Sequence, residues 1–418
     1  MVAEGWGANF VLIVCPNSAK RDPWVEHLEM LTPWLKPLVV GNTPATRASA
    51  LDEAHERLNA GEPTALICHY EAVPLIEKMG AKTVSGWRRF GRWDLLILDE
   101  AHLLKSRTAQ RTAAIRRLSR VGTLMLSGSV MSGKAEDLFV PLQILQPKRY
   151  RSQWRDWNDP YLETIEDDYG NLQIVGPKLH RLTAMRAELG EVLVVRKAKD
   201  HLKVPAPIEH DLHVDLYPEQ RRVYHELADD LMAELPSGDT VYTVDGAPLR
   251  IALRRVTAGI AQEDGSLLSR KIDRAMELIE SGGDSQMLVF GWHKATVEEL
   301  QRRCREKGIG CGLVNGDVPR AAREEAIDLH KRGGYRILAA TISTLSTAAN
   351  MQHCSAVIFL EESYDPVDNA QAVARVVRQG QPAHVNVYRI RARNTVDDLR
   401  VLPAAISKDA MRKLILGE

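Results

Sequence analysis

Residues 95–102, Leu-Leu-Ile-Leu-Asp-Glu-Ala-His, join an apolar run of four residues to two adjacent carboxylates. The run does not alternate apolar with polar residues, as a half-exposed strand would, and therefore predicts a fully buried parallel strand. Asp99 and Glu100 then lie at the carboxyl end of that strand, where open α/β sheets place their ligands. One carboxylate that binds magnesium and a second that polarises water provide the chemistry that nucleotide hydrolysis needs.

Similar apolar runs recur along the chain, and helical patterns separate most of them. They lie at 10–15, 37–40, 64–68, 94–98 and 122–126 in the first part, and at 286–290, 336–340, 356–360 and 385–390 in the second. This alternation of strand and helix predicts the α/β class, with two lobes that are each built on a parallel sheet covered by helices.

The sequence predicts four parts in the chain. They are 1–147 (first lobe), 148–204 (a helical and aromatic extension with the link between lobes), 205–285 (a helical entry to the second lobe) and 286–418 (second lobe). The segment Pro205-Ala-Pro207 is a natural breaker between the lobes. Helical patterns are predicted at 178–190, 217–234 and 409–416.

Composition limits the possible functions. Lys plus Arg and Asp plus Glu each total 55 of the 418 residues, so the formal net charge is zero. This balance argues against binding nucleic acid through bulk charge but leaves room for a local groove. The five cysteines lack metal-site spacing and predict reduced thiols in a cytoplasmic protein. The apolar run 10–15 is too short to span a bilayer, so we expect a core strand and no membrane partner.

Two arginines stand three residues apart in the segment 371–381, Gln-Ala-Val-Ala-Arg-Val-Val-Arg-Gln-Gly-Gln. This spacing places Arg375 and Arg378 on one face of a predicted helix. Such a pair suits contact with the γ-phosphate of a nucleotide held by the other lobe. An isolated pair would more often mark a solvated helix face, but its presence in one chain with Asp99 and Glu100 favours the phosphate contact.

Over nearly its whole length the chain resembles the Swi/Snf-type branch of the superfamily 2 helicase-like ATPases, which translocate on double-stranded DNA. The segments that carry the resemblance are Val11-Leu-Ile-Val-Cys-Pro16 with Trp24 and Glu26, Cys68-His-Tyr-Glu71, Asp99-Glu-Ala-His-Leu-Leu-Lys105, Leu126-Ser-Gly-Ser129, Val194-Val-Arg-Lys-Ala-Lys-Asp200 and the segment 371–381. The resemblance implies two RecA-like parallel-sheet lobes with helical insertions between them, ATP and magnesium as cofactors, and double-stranded DNA as partner.

The resemblance also implies roles for individual residues. Asp99 would hold magnesium, Glu100 would activate water, and Arg375 and Arg378 would stabilise the transition state. His102 would link the ATP site to DNA. The implied nucleotide-binding residues are Asp99, His102, Ser127, Gly128 and Gln371. The implied DNA contacts are Asn17, Ser18, His69, Tyr70, Thr341, Ser343 and Thr344, each of which could equally cap a helix or a turn.

The sequence departs from the family pattern in two places. The second lobe has Ala348-Ala-Asn-Met351 where the family has Gly-Leu-Asn-Leu, and the methyl group of Ala348 restricts the backbone. The first ten residues contain no P-loop, the loop whose backbone and lysine cradle the phosphates. The stretch 128–134 fits the P-loop spacing Gly-x4-Gly-Lys. It is followed by Ala135, which has no hydroxyl for magnesium, and it comes after Asp99 in the chain, whereas a P-loop precedes the acidic strand, so we do not expect it to bind phosphate.

We therefore expect a separate polypeptide, or residues encoded upstream, to supply the P-loop. The sequence leaves a second hypothesis open, namely a DNA-binding or regulatory protein that keeps the two-lobe shape but does not hydrolyse ATP. A nuclease subunit is less favoured, because no further cluster of carboxylates and lysine lies outside the two lobes.

Overall fold

The computed structural model describes two α/β units. The described residues are 7–20, 23–81, 83–84, 87–88, 92–131, 134–150, 154–166, 172–196, 204–345, 350–381 and 383–416. One unit is Met1–Val195 together with Ala410–Glu418, and the other is Arg196–Asp409. The finer boundaries predicted at 147/148, 204/205 and 285/286 stay predictions.

A five-stranded parallel sheet forms the centre of the first unit. Its strands are β1 (Phe10–Cys15), β2 (Lys36–Val39), β3 (Thr64–His69), β4 (Trp93–Asp99) and β5 (Arg120–Leu126). Their order is β2-β3-β1-β4-β5, and every neighbouring pair is parallel. All six residues of β1 are buried, as expected for a central strand with helices on both faces. Each of the five strands overlaps the segment that the sequence predicts.

Helices and two short hairpins complete the first unit. The helices are α1 (Trp24–Leu31), α2 (Pro44–Asn59), α3 (Val73–Ala81), α4 (Gln110–Arg117), α5 (Phe139–Leu145), α6 (Trp154–Tyr161) and α7 (Leu182–Gly190). The hairpins pair Thr83–Val84 with Trp87–Arg88 and Leu162–Glu166 with Leu172–Pro177. The Phe10 ring stacks on Trp93 with centroids 4.2 Å apart, and this contact fixes the start of β1 against the start of β4.

The second unit has a six-stranded parallel sheet. Its strands are β6 (Ile208–Val214), β7 (Met287–Gly291), β8 (Cys311–Val314), β9 (Ile337–Thr341), β10 (Ala356–Phe359) and β11 (Asn386–Ala392), in the order β6-β11-β10-β7-β9-β8. The four strands predicted from the sequence are present. The two that were not predicted, β6 and β8, are the edge strands of the sheet.

In the described part of the second unit, seven helices lie between these strands in the chain. They are α8 (Pro218–Asp230), α9 (Ala247–Ala258), α10 (Arg270–Ser281), α11 (Lys294–Glu306), α12 (Arg320–Lys331), α13 (Ile342–Leu345) and α14 (Pro366–Val373). Helix α15 (Leu402–Leu416) follows β11, and its residues from Ala410 onward belong to the first unit. The helix predicted at 217–234 ends earlier, at Asp230, because Leu231 is left-handed (φ 58°) and Met232–Glu234 forms a short strand. Within the described residues, no helix has both the length and the apolar character needed to cross a bilayer.

Candidate nucleotide-binding site

The two carboxylates of the first unit lie where the sequence predicts, at the carboxyl end of β4. Asp99 is the last residue of the strand, and its side chain accepts two hydrogen bonds. The Trp24 indole N–H donates to Oδ2 at 2.9 Å, and the Glu100 backbone N–H donates to Oδ1 at 3.0 Å. The Tyr70 hydroxyl donates to the Asp99 carbonyl oxygen at 2.6 Å. These contacts hold both the strand end and the carboxylate in place.

Burial raises the pKa of Asp99, because a partly desolvated carboxylate is less stable in its charged form. The hydrogen bond from Trp24 acts in the opposite direction, and the negative charge of Glu100 raises the pKa further. A carboxylate in this situation gains from a nearby cation, which would restore the charged form.

Glu100 has an unusual backbone conformation. Its φ of 50° and ψ of 51° lie in the left-handed region, which costs a non-glycine residue roughly 1–2 kcal/mol. This turn ends β4 and leads directly into the 3₁₀ helix Ala101–Leu104. Backbone strain of this kind is concentrated at functional sites.

His102 connects the acidic strand end to the end of the neighbouring strand. Its Nδ1 lies 3.1 Å from Oε2 of Glu100 and 3.2 Å from Oγ of Ser127. The Ser127 hydroxyl donates to the Ser129 carbonyl oxygen at 2.5 Å, so its oxygen is left to accept from His102. This pattern requires the hydrogen on Nδ1 of His102. A hydrogen bond thus joins His102 to the segment 127–129, and Glu100 lies within ion-pair distance of the same imidazole. The exposed Gly128 lies within this group.

The predicted DNA contacts of the first unit divide into two sets. Asn17 and Ser18 lie in the 3₁₀ helix Asn17–Ala19 after β1, and His69 ends β3, so all three follow strand ends at one edge of the sheet. Tyr70 is only 2% exposed and its hydroxyl is bonded to Asp99, and burial raises its pKa. The predicted DNA contact of Tyr70 is therefore corrected, because a buried ring that supports the acidic strand cannot offer its hydroxyl to DNA.

Lys20 is a further residue at this edge, which the sequence analysis did not single out. It is 6% exposed, and its ammonium group donates to the Val40 carbonyl oxygen at 3.0 Å and to Oδ1 of Asn42 at 2.7 Å. Its Nζ also lies 3.5 Å from Nδ1 of His69, and burial together with this cation lowers the pKa of His69. The sequence feature that could have pointed to Lys20 is its position shortly after the buried strand β1.

In the second unit the two arginines do not share a helix face. Helix α14 contains Gln371 but ends at Val373, so Arg375 and Arg378 lie in the turns that follow. The Arg375 carbonyl accepts from the Met351 backbone N–H at 2.8 Å instead of continuing the helix, and Arg378 donates to Oδ1 of Asn350. The predicted single helix is therefore wrong, while the predicted roles of the arginines stay untested.

The hydroxyl residues after β9 lie together. Thr341 ends the strand, and its hydroxyl donates at 2.8 Å to Oγ1 of Thr344, which lies in the short helix α13. Thr341 is 4% exposed and Ser343 is exposed, so Ser343 is the more accessible of the two. Ala348 lies outside the described residues.

Glu361 repeats the signal of the acidic strand in the second unit. It follows the buried strand β10 and is 2% exposed. Its Oε2 accepts backbone N–H groups from Trp292 at 2.6 Å and His293 at 3.2 Å, both just after β7. The apolar run 356–360 followed by Glu361 and Glu362 could have revealed it from the sequence.

Comparison with known proteins decides the family. The SNF2-related domain matches residues 3–260, and the helicase conserved C-terminal domain matches residues 270–380. The chain belongs to the SNF2 family. These matches confirm the predicted resemblance to Swi/Snf-type helicase-like ATPases of superfamily 2. The two predicted RecA-like parallel-sheet lobes are confirmed as well.

Several curated relatives of this SNF2-family chain are similar over almost all of it. The mouse DNA annealing helicase and endonuclease ZRANB3 is 21% identical over 93% of the chain. The mouse SWI/SNF-related matrix-associated actin-dependent regulator of chromatin subfamily A member 1 is 23% identical over 97%, and the mouse chromodomain-helicase-DNA-binding protein 1-like is 24% identical over 97%. The chain spans 35%, 38% and 44% of the lengths of these relatives.

Among solved structures, the chain is similar to the Sulfolobus solfataricus SWI2/SNF2 ATPase core in complex with dsDNA. The match has a TM-score of 0.40 and 17% identity, and it covers 100% of this chain and 84% of that one.

Proposed function

We propose that this SNF2-family chain is the main part of an ATP-dependent motor that translocates on double-stranded DNA. The observation that carries the proposal is the position of the His102 imidazole at the end of β4, where its Nδ1 lies 3.1 Å from the Glu100 carboxylate and 3.2 Å from the Ser127 hydroxyl after the neighbouring strand. Such a group can pass a change at the hydrolytic carboxylate to another segment of the unit. A protein that only bound DNA would have no need of it.

Asp99 fits the part of a magnesium ligand. Each of its two oxygens accepts one hydrogen bond from the protein, which leaves one lone pair on each for a hard cation. Magnesium there would neutralise phosphate charge and orient the nucleotide. In this proposal Glu100 orients and activates the attacking water, and Arg375 and Arg378 stabilise charge on the transferred phosphoryl group. Gln371, Ser127 and Gly128 complete the proposed nucleotide-binding set.

The proposed DNA contacts are Asn17, Ser18, His69, Thr341, Ser343 and Thr344. Tyr70 supports Asp99 instead. The support for the proposal is that these residues follow the carboxyl ends of strands β1, β3 and β9, the sheet edge where α/β proteins place their ligands. The neutral net charge agrees with contact through a few loops rather than through a broad basic surface.

The phosphate-binding loop is the remaining part of the proposed nucleotide site. The 418 residues contain no Gly-x-Gly-Lys-Thr. We propose that a separate polypeptide or upstream-encoded residues contribute this loop, and translation of the DNA upstream of Met1 in all three forward frames tests this idea. A strand followed by Gly-x-Gly-Lys-Thr within about fifty codons is the expected result.

The function is tested by measuring ATP hydrolysis with and without linear duplex DNA after that segment is co-expressed. Glu100→Gln should lower the DNA-stimulated rate about 100-fold or more, because it removes the group that activates water, and should leave duplex binding intact. Glu53→Gln is the matched control, since Glu53 lies on α2 with 45% of its side chain exposed and only an Arg57 partner. Normal hydrolysis by Glu100→Gln would refute the assignment of the base.

The second hypothesis, a regulatory DNA-binding protein without hydrolysis, is supported by Ala348, which stands where the family has glycine. It predicts duplex binding without any affinity for magnesium-ATP, even when the P-loop segment is supplied. A binding titration with a fluorescent ATP analogue separates the two proposals.

A further inference from the structure

Three side chains of the second unit with nitrogen or sulfur ligand atoms converge away from the candidate nucleotide-binding site. One ligand atom from each of His330, His353 and Cys354 lies within 4.8 Å of the other two. Nε2 of His353 is 3.0 Å from Nδ1 of His330, and Sγ of Cys354 is 4.0 Å from Nε2 of His330. Across the described ranges, this is the one group of three or more His, Cys, Asp or Glu residues that meets so closely. We propose that these three residues form a zinc-binding site.

The fold brings the three residues together from two distant segments. His330 lies in the last turn of α12, and His353 and Cys354 directly precede β10. The His330 ring also contacts Met287, the first residue of β7. The cluster therefore lies at the amino ends of the central strands, whereas Thr341 and Glu361 lie at their carboxyl ends.

The chemistry of this donor set selects a borderline metal. Two imidazoles and one thiolate suit zinc, whereas magnesium and calcium require oxygen ligands. Zinc bonds of roughly 2.0–2.3 Å in a tetrahedron place ligand atoms about 3.3–3.6 Å apart. The 3.0 Å between Nε2 of His353 and Nδ1 of His330 is close to this range, and one ligand atom from each of the three residues lies within 4.8 Å of the others, so side-chain rotations can bring Cys354 into the tetrahedron. A water molecule would supply the fourth ligand.

Neighbouring groups orient His330 as expected for a metal ligand. Its Nε2 lies 3.3 Å from the Met287 carbonyl oxygen, and a hydrogen bond there leaves Nδ1 deprotonated. The Nδ1 lone pair then faces Nε2 of His353 at 3.0 Å and the Gln286 amide nitrogen at 3.2 Å, and a bound ion would take the place of these two contacts. Metal-binding histidines usually donate their other N–H in this way. The Gln286 side-chain amide donates to the carbonyl oxygens of His330 and Tyr335 and so fixes the end of α12. His330 is fully buried and Cys354 is 1% exposed, whereas the half-buried His353 provides the entry path.

The proposed site is adjacent to the segment that carries the two arginines. The Met351 N–H donates to the Arg375 carbonyl at 2.8 Å, and the Gln381 side-chain amide donates to the Cys354 carbonyl at 3.1 Å. An ion bound by His353 and Cys354 would therefore hold the turn 350–354 on which this segment rests. Any effect on hydrolysis rests on the proposed function, but metal binding does not.

The test uses the full chain after removal of metal, titrated with Zn²⁺ by calorimetry and with Co²⁺ as a spectroscopic probe. The expected result is one ion per chain and a thiolate-to-cobalt charge-transfer band. Hydrogen exchange of peptides covering 350–381 should slow when zinc is added, because the turn becomes fixed. None of these measurements requires ATP or DNA, so the failure of this proposal and the failure of the proposed motor are distinguishable.

Variants locate the site. His353→Ala should weaken zinc binding at least about 100-fold, since losing a ligand costs no less than losing an orienting neighbour, and Cys354→Ser should abolish the charge-transfer band. The control is His225→Ala, an exposed imidazole on α8, which should bind zinc as the parent chain does.

Three outcomes overturn the proposal: no zinc binding, no thiolate band in the parent chain, or equal affinity in His353→Ala. Each of them would make the cluster an ordinary hydrogen-bonded imidazole pair. The spectrum of the parent chain decides the matter even if Cys354→Ser fails to fold.

Discussion

Removal of the Lys271 ammonium group should destabilise the second unit by about 3–5 kcal/mol, because it leaves a buried carboxylate without its cation. Lys271 on α10 and Asp397 are 1% and 6% exposed at their side chains, and their charged atoms lie 2.5 Å apart. After Lys271→Met, the Ala392 N–H remains on the carboxylate at 3.1 Å, while the Thr257 hydroxyl, 3.4 Å away, already donates to the Arg254 carbonyl oxygen at 2.9 Å. A neutral hydrogen bond contributes about 1 kcal/mol, which is too little to replace the lost charge.

The assay is hydrogen exchange in peptides that cover α10 (Arg270–Ser281), which reports the free energy of opening of this helix. A loss of 3–5 kcal/mol corresponds to exchange that is faster by a factor on the order of 10² to 10⁴. The matched control is Lys307→Met. Lys307 and Glu280 form an exposed pair with 52% and 45% of their side chains accessible, so its loss should cost at most about 1 kcal/mol.

The comparison of the two variants decides whether burial sets the cost. Equal losses in Lys271→Met and Lys307→Met would refute the reasoning, because the two pairs differ mainly in their exposure to water. The double variant Lys271→Met with Asp397→Asn provides a second check. It should be less destabilised than the sum of the single variants, since it removes both charges together.

Three further predictions concern the first unit and the thiols. Tyr70→Phe should lower the free energy of unfolding of the first unit in urea by about 1–2 kcal/mol, since it removes the hydrogen bond to the Asp99 carbonyl. The control Tyr242→Phe, at a residue that is 72% exposed, should change the free energy of unfolding by less than about 0.5 kcal/mol. His102→Ala and Ser127→Ala should each lower the stimulation of ATP hydrolysis by duplex DNA, and the double variant should be no worse than the worse single one, because both break the same link. All five thiols are buried, and burial raises the pKa of Cys15 and Cys354 to about 12. Native protein at pH 8 should therefore react with a thiol reagent far more slowly than urea-unfolded protein. A thiol of the native protein that reacts within seconds would contradict this prediction.

The sequence predicts the central strands well and the edges of the second sheet poorly. Strands β1, β4 and β7 are covered on both faces, so they read as continuous apolar runs such as Phe10–Cys15. The edge strand β6, Ile-Glu-His-Asp-Leu-His-Val, carries four charged or titratable residues and pairs on one side only. The other edge strand, β8, is four residues long and contains a glycine. The alternation of β6 hides it from a search for apolar runs, whereas β8 is apolar and mostly buried but too short and glycine-containing to stand out.

The end of helix α14 shows how tertiary contacts override a periodic pattern. The spacing of Arg375 and Arg378 predicts one helix, yet the Arg375 carbonyl accepts a hydrogen bond from Met351, which is distant in sequence. The β-branched residues Val373, Val376 and Val377 favour the helix only weakly, so an outside donor can end it there. No local signal in the segment reveals the position of Met351.

The same sequence signal has two different outcomes in this chain, and cations on neighbouring elements explain the difference. Both β4 and β10 are apolar runs that end near paired carboxylates. Glu362 is bound by Arg389 and Arg391, which belong to the adjacent strand β11, and the Arg254 guanidinium attracts Glu361. At β4, the neighbours of Asp99 and Glu100 are Trp24 and His102, and the Glu100 side chain remains 27% exposed. A carboxylate that arginines neutralise has a structural role, whereas Asp99, which the Trp24 indole and a backbone N–H orient, remains able to bind a cation. The residues opposite a carboxylate pair, which only the fold supplies, therefore distinguish a candidate catalytic pair from a structural one.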